Sequence, residues 1–213
     1  TDTITAPNIT SNSPVCEGDT LNIGVTSIYS NPSYQIIEAN GNINNGVQNI
    51  SYSSANMTHD GRYTVKLTVN GCTAFDTTFV TIKPTPPSPT VINNGPVCEG
   101  QTVALTGTTS TPGVGYEWLG PNGFGAASAN PSITGITPAG AGIYTLRTIL
   151  NGCKSQPANT TVVVNTNPKP NVTSNTPVCE NGTITFTNTG GASGTTYNWI
   201  GPGGFTSNGT EPT

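Results

Sequence analysis

Five cysteines are the residues best placed to do chemistry in this chain, and each stands in repeated surroundings. Pro-Val-Cys-Glu-Gly occupies residues 14–18 and 96–100 and returns as Pro-Val-Cys-Glu-Asn at 177–181, while Asn-Gly-Cys occurs at 70–72 and 151–153. Thiols at such regular positions, with no Cys-x-x-Cys and a single histidine, point to oxidised structural bridges rather than zinc binding or redox catalysis. An extracellular or cell-surface setting is the expectation.

Other chemistry finds little material. A nucleophile needs a neighbouring base, and the one histidine, His59, has Gly140 as its counterpart one repeat later, so it reads as a solvent-exposed turn residue. Glu17, Glu99 and Glu180 recur in the cysteine motif and suggest a structural task rather than a paired acid and base. The ten acids are scattered, with no Asp-x-Asp-x-Asp run to hold calcium. No catalytic residue, cofactor or metal ligand is expected, and the chain is not read as an enzyme. With six Lys plus Arg and a net charge of -4, no basic cluster could neutralise a nucleic-acid backbone. No stretch approaches the ~18 apolar residues of a membrane span.

The elements that position the cysteines follow from the period. Cys16 and Cys98 are 82 residues apart, and Cys98 and Cys179, like Cys72 and Cys153, are 81 apart, the mark of a tandem array. Proline-rich segments at 83–89 and 165–170 separate the units and favour extended, semi-rigid backbone. Module one then covers 1–84, module two 85–167, and a partial module three 168–213 with N-terminal strands only. By the period, module three lacks a Tyr and an Asn-Gly-Cys, so the chain is expected to be a fragment of something longer or to be completed by another chain. Charged residues are only 8% of the chain, against roughly 25% in soluble domains.

Apolar and polar residues alternate through Leu21, Ile23 and Val25, through Tyr63, Val65, Leu67 and Val69, and through their counterparts Val103, Leu105, Tyr144 and Leu146. Asn70-Gly71 and Asn151-Gly152 supply hairpin turns. The stretch from Ile133 to Tyr144 resembles the E strand, E–F corner and start of strand F of an immunoglobulin-like domain, with Tyr63 and Tyr144 at the tyrosine-corner position. Gly100–Gly107 resembles strand B, and Trp118 follows it at the spacing of the family's core Trp. Gly107 and Leu146 stand where that family has its inter-sheet cysteines. Val25 and Val65 do so in module one, where Ile36 replaces the Trp.

The resemblance implies an all-β chain of tandem Ig-like antiparallel sandwiches in an extended rod, the third incomplete. Tyr63, Tyr144, Trp118 and Trp199 would be structural core. Cys-Glu-Gly before strand B, Trp-x-Gly-Pro-x-Gly-Phe after strand C and Asn-Gly-Cys resemble the Ig-like or PKD-like repeats of large surface adhesins of gliding bacteria, secreted by the type 9 route. In an Ig-like sandwich strands B and F run toward the same pole, which parts Cys16 from Cys72. The pairing implied is Cys16 with Cys153 across the module junction. The alternative is Cys16–Cys72 and Cys98–Cys153 within modules, and Cys179 has its partner missing. The triplets Asp2-Thr3-Ile4, Asp19-Thr20-Leu21 and Asp76-Thr77-Thr78 resemble that group's O-glycosylation acceptors and mark Thr3, Thr20 and Thr77.

The expected function is a stalk segment whose partners are neighbouring repeats and, through a binding tip elsewhere in the parent protein, surface glycans or proteins, with no nucleic acid and no membrane insertion. Two alternatives stand beside it. One is a carbohydrate- or protein-binding module, which predicts an exposed aromatic cluster in one module that its neighbour lacks. The other is a filament subunit whose third module takes a strand from another chain.

Overall fold

The computed structural model describes residues 4–191 and 193–212; Thr3 lies outside them. Module one comprises β1 (Asn8–Ser11), β2 (Val15–Cys16), β3 (Leu21–Thr26), β4 (Ser33–Ile37), β5 (Ile43–Asn45), β6 (Asn49–Tyr52), β7 (Gly61–Val69), β8 (Cys72–Val80) and β9 (Ile82–Lys83). One antiparallel sheet has the order β1-β3-β6 and the other β5-β4-β7-β8. In Ig-like terms these are A-B-E and C′-C-F-G, with β2 and β9 forming a separate parallel pair. Period-two alternation explains the sandwich, since Leu21, Ile23, Val25, Tyr63, Val65 and Leu67 all turn inward and are buried.

Module two repeats the plan with β10 (Thr90–Asn93), β11 (Val97–Cys98), β12 (Val103–Thr108), β13 (Gly115–Leu119), β14 (Gly125–Ala126), β15 (Ser132–Ile133), β16 (Gly142–Leu150), β17 (Cys153–Lys154), β18 (Ala158–Val162) and β19 (Val164–Asn165). Its sheets are β10-β12-β15 and β14-β13-β16-β17, with β18 also on β16. Each module closes around its own apolar cluster, one centred on Tyr63 and Ile36 and the other on Trp118 and Tyr144. Gly107 is the reason Trp118 fits: a Cβ there would lie 2.4 Å from Leu146 and 3.3 Å from the indole.

The described residues of 172–207 pair as two short ladders, β20 (Val172–Ser174) with β21 (Phe186–Asn188) and β22 (Trp199–Ile200) with β23 (Thr206–Ser207). Trp199 is therefore half-buried rather than a core residue like Trp118. No facing sheet among the described residues covers it; its ring lies 5.5 Å from Phe186 and its indole N–H donates to Gly209 O at 2.8 Å.

Candidate functional site: the cysteine joint between modules

Cys16 is held by a set of backbone bonds that its motif sets up. Pro14 follows a cis peptide, as do Pro96 and Pro177 in the other two repeats. Beyond it β2 lies parallel to β9, Val15 opposite Ile82 and Cys16 opposite Lys83. The Glu17 N–H donates to Lys83 O at 2.8 Å, and Gly18 N–H to Ala55 O at 2.7 Å. Asn12 braces the turn from the other side, donating to Thr20 O at 2.9 Å and accepting from Asn22 N–H at 2.8 Å. The repeated glutamate thus serves through its backbone N–H, which would carry over to any residue but proline.

The partner is a hairpin tip of module two. Asn151 and Gly152 adopt φ of 52° and 87°, the left-handed pair that a two-residue turn needs and that Asn-Gly supplies with least strain. This reverses the chain so that Cys153 faces Leu150 and is fully buried. The structure joins Cys16 to Cys153 by a disulfide with Cα atoms 5.6 Å apart and a sequence separation of 137. Beside it the Lys83 ammonium donates to Asn151 O at 3.2 Å. Cys72 and Cys98 are free thiols, so neither intramodule bond of the alternative pairing is present. The nine-residue β7 carries the chain from the Tyr63 end to the opposite pole before Cys72, roughly 25–30 Å away.

Both halves of this joint recur unjoined. At Cys98, Val97 lies opposite Val164 and Cys98 opposite Asn165, Glu99 N–H donates to Asn165 O at 2.8 Å, and Asn94 repeats the brace of Asn12. At Cys72, Asn70 and Gly71 have φ of 49° and 84°, within a few degrees of the tip that carries Cys153. Cys179 is exposed and free, with Asn175 bracing its turn in the same way.

The other sequence-marked residues sit away from the joint's sulfurs. Tyr63 OH donates to His59 O at 3.1 Å and Tyr144 OH to Gly140 O at 2.9 Å, tying each E–F corner to the start of β7 and β16. The Asp60 carboxylate accepts from Ile82 N–H at 2.8 Å and so anchors β9. His59 differs from the exposed residue expected: it is half-buried, its ring stacks 4.0 Å from that of Tyr52, and its Nδ1 accepts from Asn56 N–H at 3.1 Å. Thr20 and Thr77 have exposed side chains.

One charged cluster has no counterpart in the sequence reading. Glu38 is buried at the end of strand C and accepts from the Asn44 amide. Burial, then the hydrogen bond and charge of Glu38, hold the Tyr52 hydroxyl above the usual phenol range. Burial, then the charges of Glu38 and Asp60, push Tyr63 up to about 12, and burial raises Tyr144. Nothing local in Ile37-Glu38-Ala39 announces a buried acid; only the strand register does. Among the described residues no group of three or more His, Cys, Asp or Glu converges as a metal site, and no helix is long and apolar enough to cross a membrane.

No protein-family model matches the chain, and no curated protein sequence does. Among solved structures it is similar to murine CEACAM1b, at 14% identity over 74% of this chain and all of that one, with a TM-score of 0.39. It is similar to three N-terminal domains of the bacteriophage RB49 highly immunogenic outer capsid protein, at 16% identity, 97% and 80% coverage and a TM-score of 0.40. A third likeness is to the N-terminal four Ig domains of Dscam1 isoform 1.9, at 14% identity, 72% and 42% coverage and a TM-score of 0.30.

Proposed function

We propose that this chain is a structural stalk segment of an extracellular surface protein, an adhesin or surface filament of the gliding-bacterial, type 9 secreted kind, in which Ig-like modules act as rigid spacers. The observation that carries this reading is the Cys16–Cys153 disulfide, which joins two modules that each have their own core. A bond placed there leaves the sandwiches intact and restricts the angle between them, which is what a spacer under tension needs. The matching geometry at Cys98 and at the Cys72 tip supports the same joint at successive module boundaries. Thr20, being exposed and away from β8, is accessible as an O-glycosylation acceptor on this reading. The chain has no catalytic role in it.

The test is small-angle scattering on the oxidised chain and on C16S/C153S. An unchanged maximum dimension with a narrow pair-distance peak in the oxidised protein, broadening in the variant, is the expected result. Identical profiles, or a peptide map joining Cys16 to Cys72, would overturn the reading.

A further inference from the structure

Strand β8 is amphipathic in the opposite sense from its neighbours. Its inward residues include Asp76 and Thr78, while Phe75 and Phe79 point to solvent at 54% and 71% exposure, with Thr77 between them. A slip of one residue would reverse this and bury both rings. The register is nevertheless held, by the continuous β7–β8 pairing from Gly61↔Val80 to Val69↔Cys72 and by the Asp76 carboxylate accepting from Ile9 N–H at 3.0 Å. Two exposed phenylalanines about 13 Å apart along one strand are thus a maintained feature of the face.

Directly across from them stand cations, Lys66 opposite Phe75 and Arg62 opposite Phe79. Among the described residues neither makes a hydrogen bond or an ion pair. The remaining outward residues of this sheet are uncharged, Glu38 being turned into the core. Module two is an internal control. There Thr161 takes the place of Phe79, Lys154 is paired with Glu117 at 2.8 Å, and Arg147 donates to Ser155 O at 2.8 Å. Rings exposed and cations unspent occur in one module, and rings absent and cations satisfied in the other.

We infer that the β7–β8 face of module one binds an acidic polysaccharide, with sugar rings stacked on Phe75 and Phe79 and carboxylates met by Lys66 and Arg62. This goes beyond the spacer role and is independent of it. Flat exposed rings flanked by Thr and amide side chains suit sugar faces and hydroxyls, and unpaired cations on a chain of net charge -4 call for an anionic partner. A second copy docking by this same face would bring the unpaired cations of both copies into the interface with no outward acid on either side to meet them. Strand addition at β8 by a peptide is obstructed, because β1 packs along it and Ile9 N–H is bonded to Asp76.

The experiment is retention of the intact, oxidised chain on immobilised polygalacturonate, dextran and polyglutamate, with F75T/F79T and R62Q/K66Q beside it. Expected are retention on polygalacturonate alone, a loss of about tenfold or more in either variant, and weakening as ionic strength rises from about 0.02 to about 0.3 M. Circular dichroism and an intact Cys16–Cys153 bond show that the exposed substitutions leave the fold alone. No retention, equal retention on dextran or polyglutamate, or variants that bind as well as the parent overturns the inference. So does self-association that F75T/F79T abolishes, which would make a second copy the occupant. None of these outcomes touches the scattering test of the joint.

Discussion

Modules one and two have the same strand order and the same tyrosine corner, yet they fill their centres differently. At the middle of strand C module two places Trp118, 1% exposed and donating to Ser128 O, where module one has Ile36. The indole is accommodated by Gly107, whereas module one has Val25 at that place, packed with Val65. Two residues further on, Glu38 in module one corresponds to Gly120, where a Cβ would lie 2.5 Å from the Tyr144 ring. Phe124 lies edge-on to Tyr144 at 5.3 Å, whereas in module one Tyr52 stacks on His59. The lesson is that strand register and the corner bond define the sandwich, while the filling is negotiated locally by volume.

That comparison can be broken most severely at its largest side chain. Trp118→Ala should cost module two about 3–5 kcal/mol, read as the loss of one of two thermal transitions, whereas Ile36→Ala should cost module one about 2–4 kcal/mol. Equal small effects would mean the centres do not carry their modules. The next test transplants one filling into the other. Gly107→Val should destabilise module two by about 1–3 kcal/mol through overpacking against Leu146, and adding Leu146→Val should recover much of the loss by copying the Val25–Val65 pair. A double variant no better than the single one would show that the two residues do not share a volume.

Alkaline pH should distinguish the modules next. Tyr63 in the fold binds its proton up to about 12, above its ordinary value near 10. The folded state therefore holds more protons than the unfolded one between those pH values, and stability, fully present below about pH 10, falls as pH rises toward 12. Burial first and then Glu38 raise both Tyr63 and Tyr52, so Glu38→Gln should shift the alkaline transition of module one and leave that of module two, where only burial raises Tyr144. The smallest effect expected is at the corner. Tyr144→Phe and Tyr63→Phe each remove one hydrogen bond and should cost about 0.5–1.5 kcal/mol, measured by urea unfolding, with unchanged sheets.

The residues themselves determined much of this protein. The cysteine period, the alternation through Leu21–Val25 and Tyr63–Val69, and Asn-Gly between strands were enough to set repeat length, strand faces and hairpin tips, because each depends on local backbone geometry and a period of two. The pole at which each cysteine lies follows from strand direction, and there the Ig-like resemblance supplied what spacing alone could not. The outward Phe75 and Phe79 were also written in Thr-Ala-Phe-Asp-Thr-Thr-Phe, but alternation has no sign until the partner strand says which face is the core. Only the tertiary structure decided between Cys153 and Cys72 as the partner of Cys16, and showed that Lys83 caps the tip, that Glu38 is buried among tyrosines, and that Trp199 lacks the cover Trp118 enjoys. Each of these depends on which elements meet across tens of residues, and such contacts are set by the packing of whole sheets rather than by any local run of side chains.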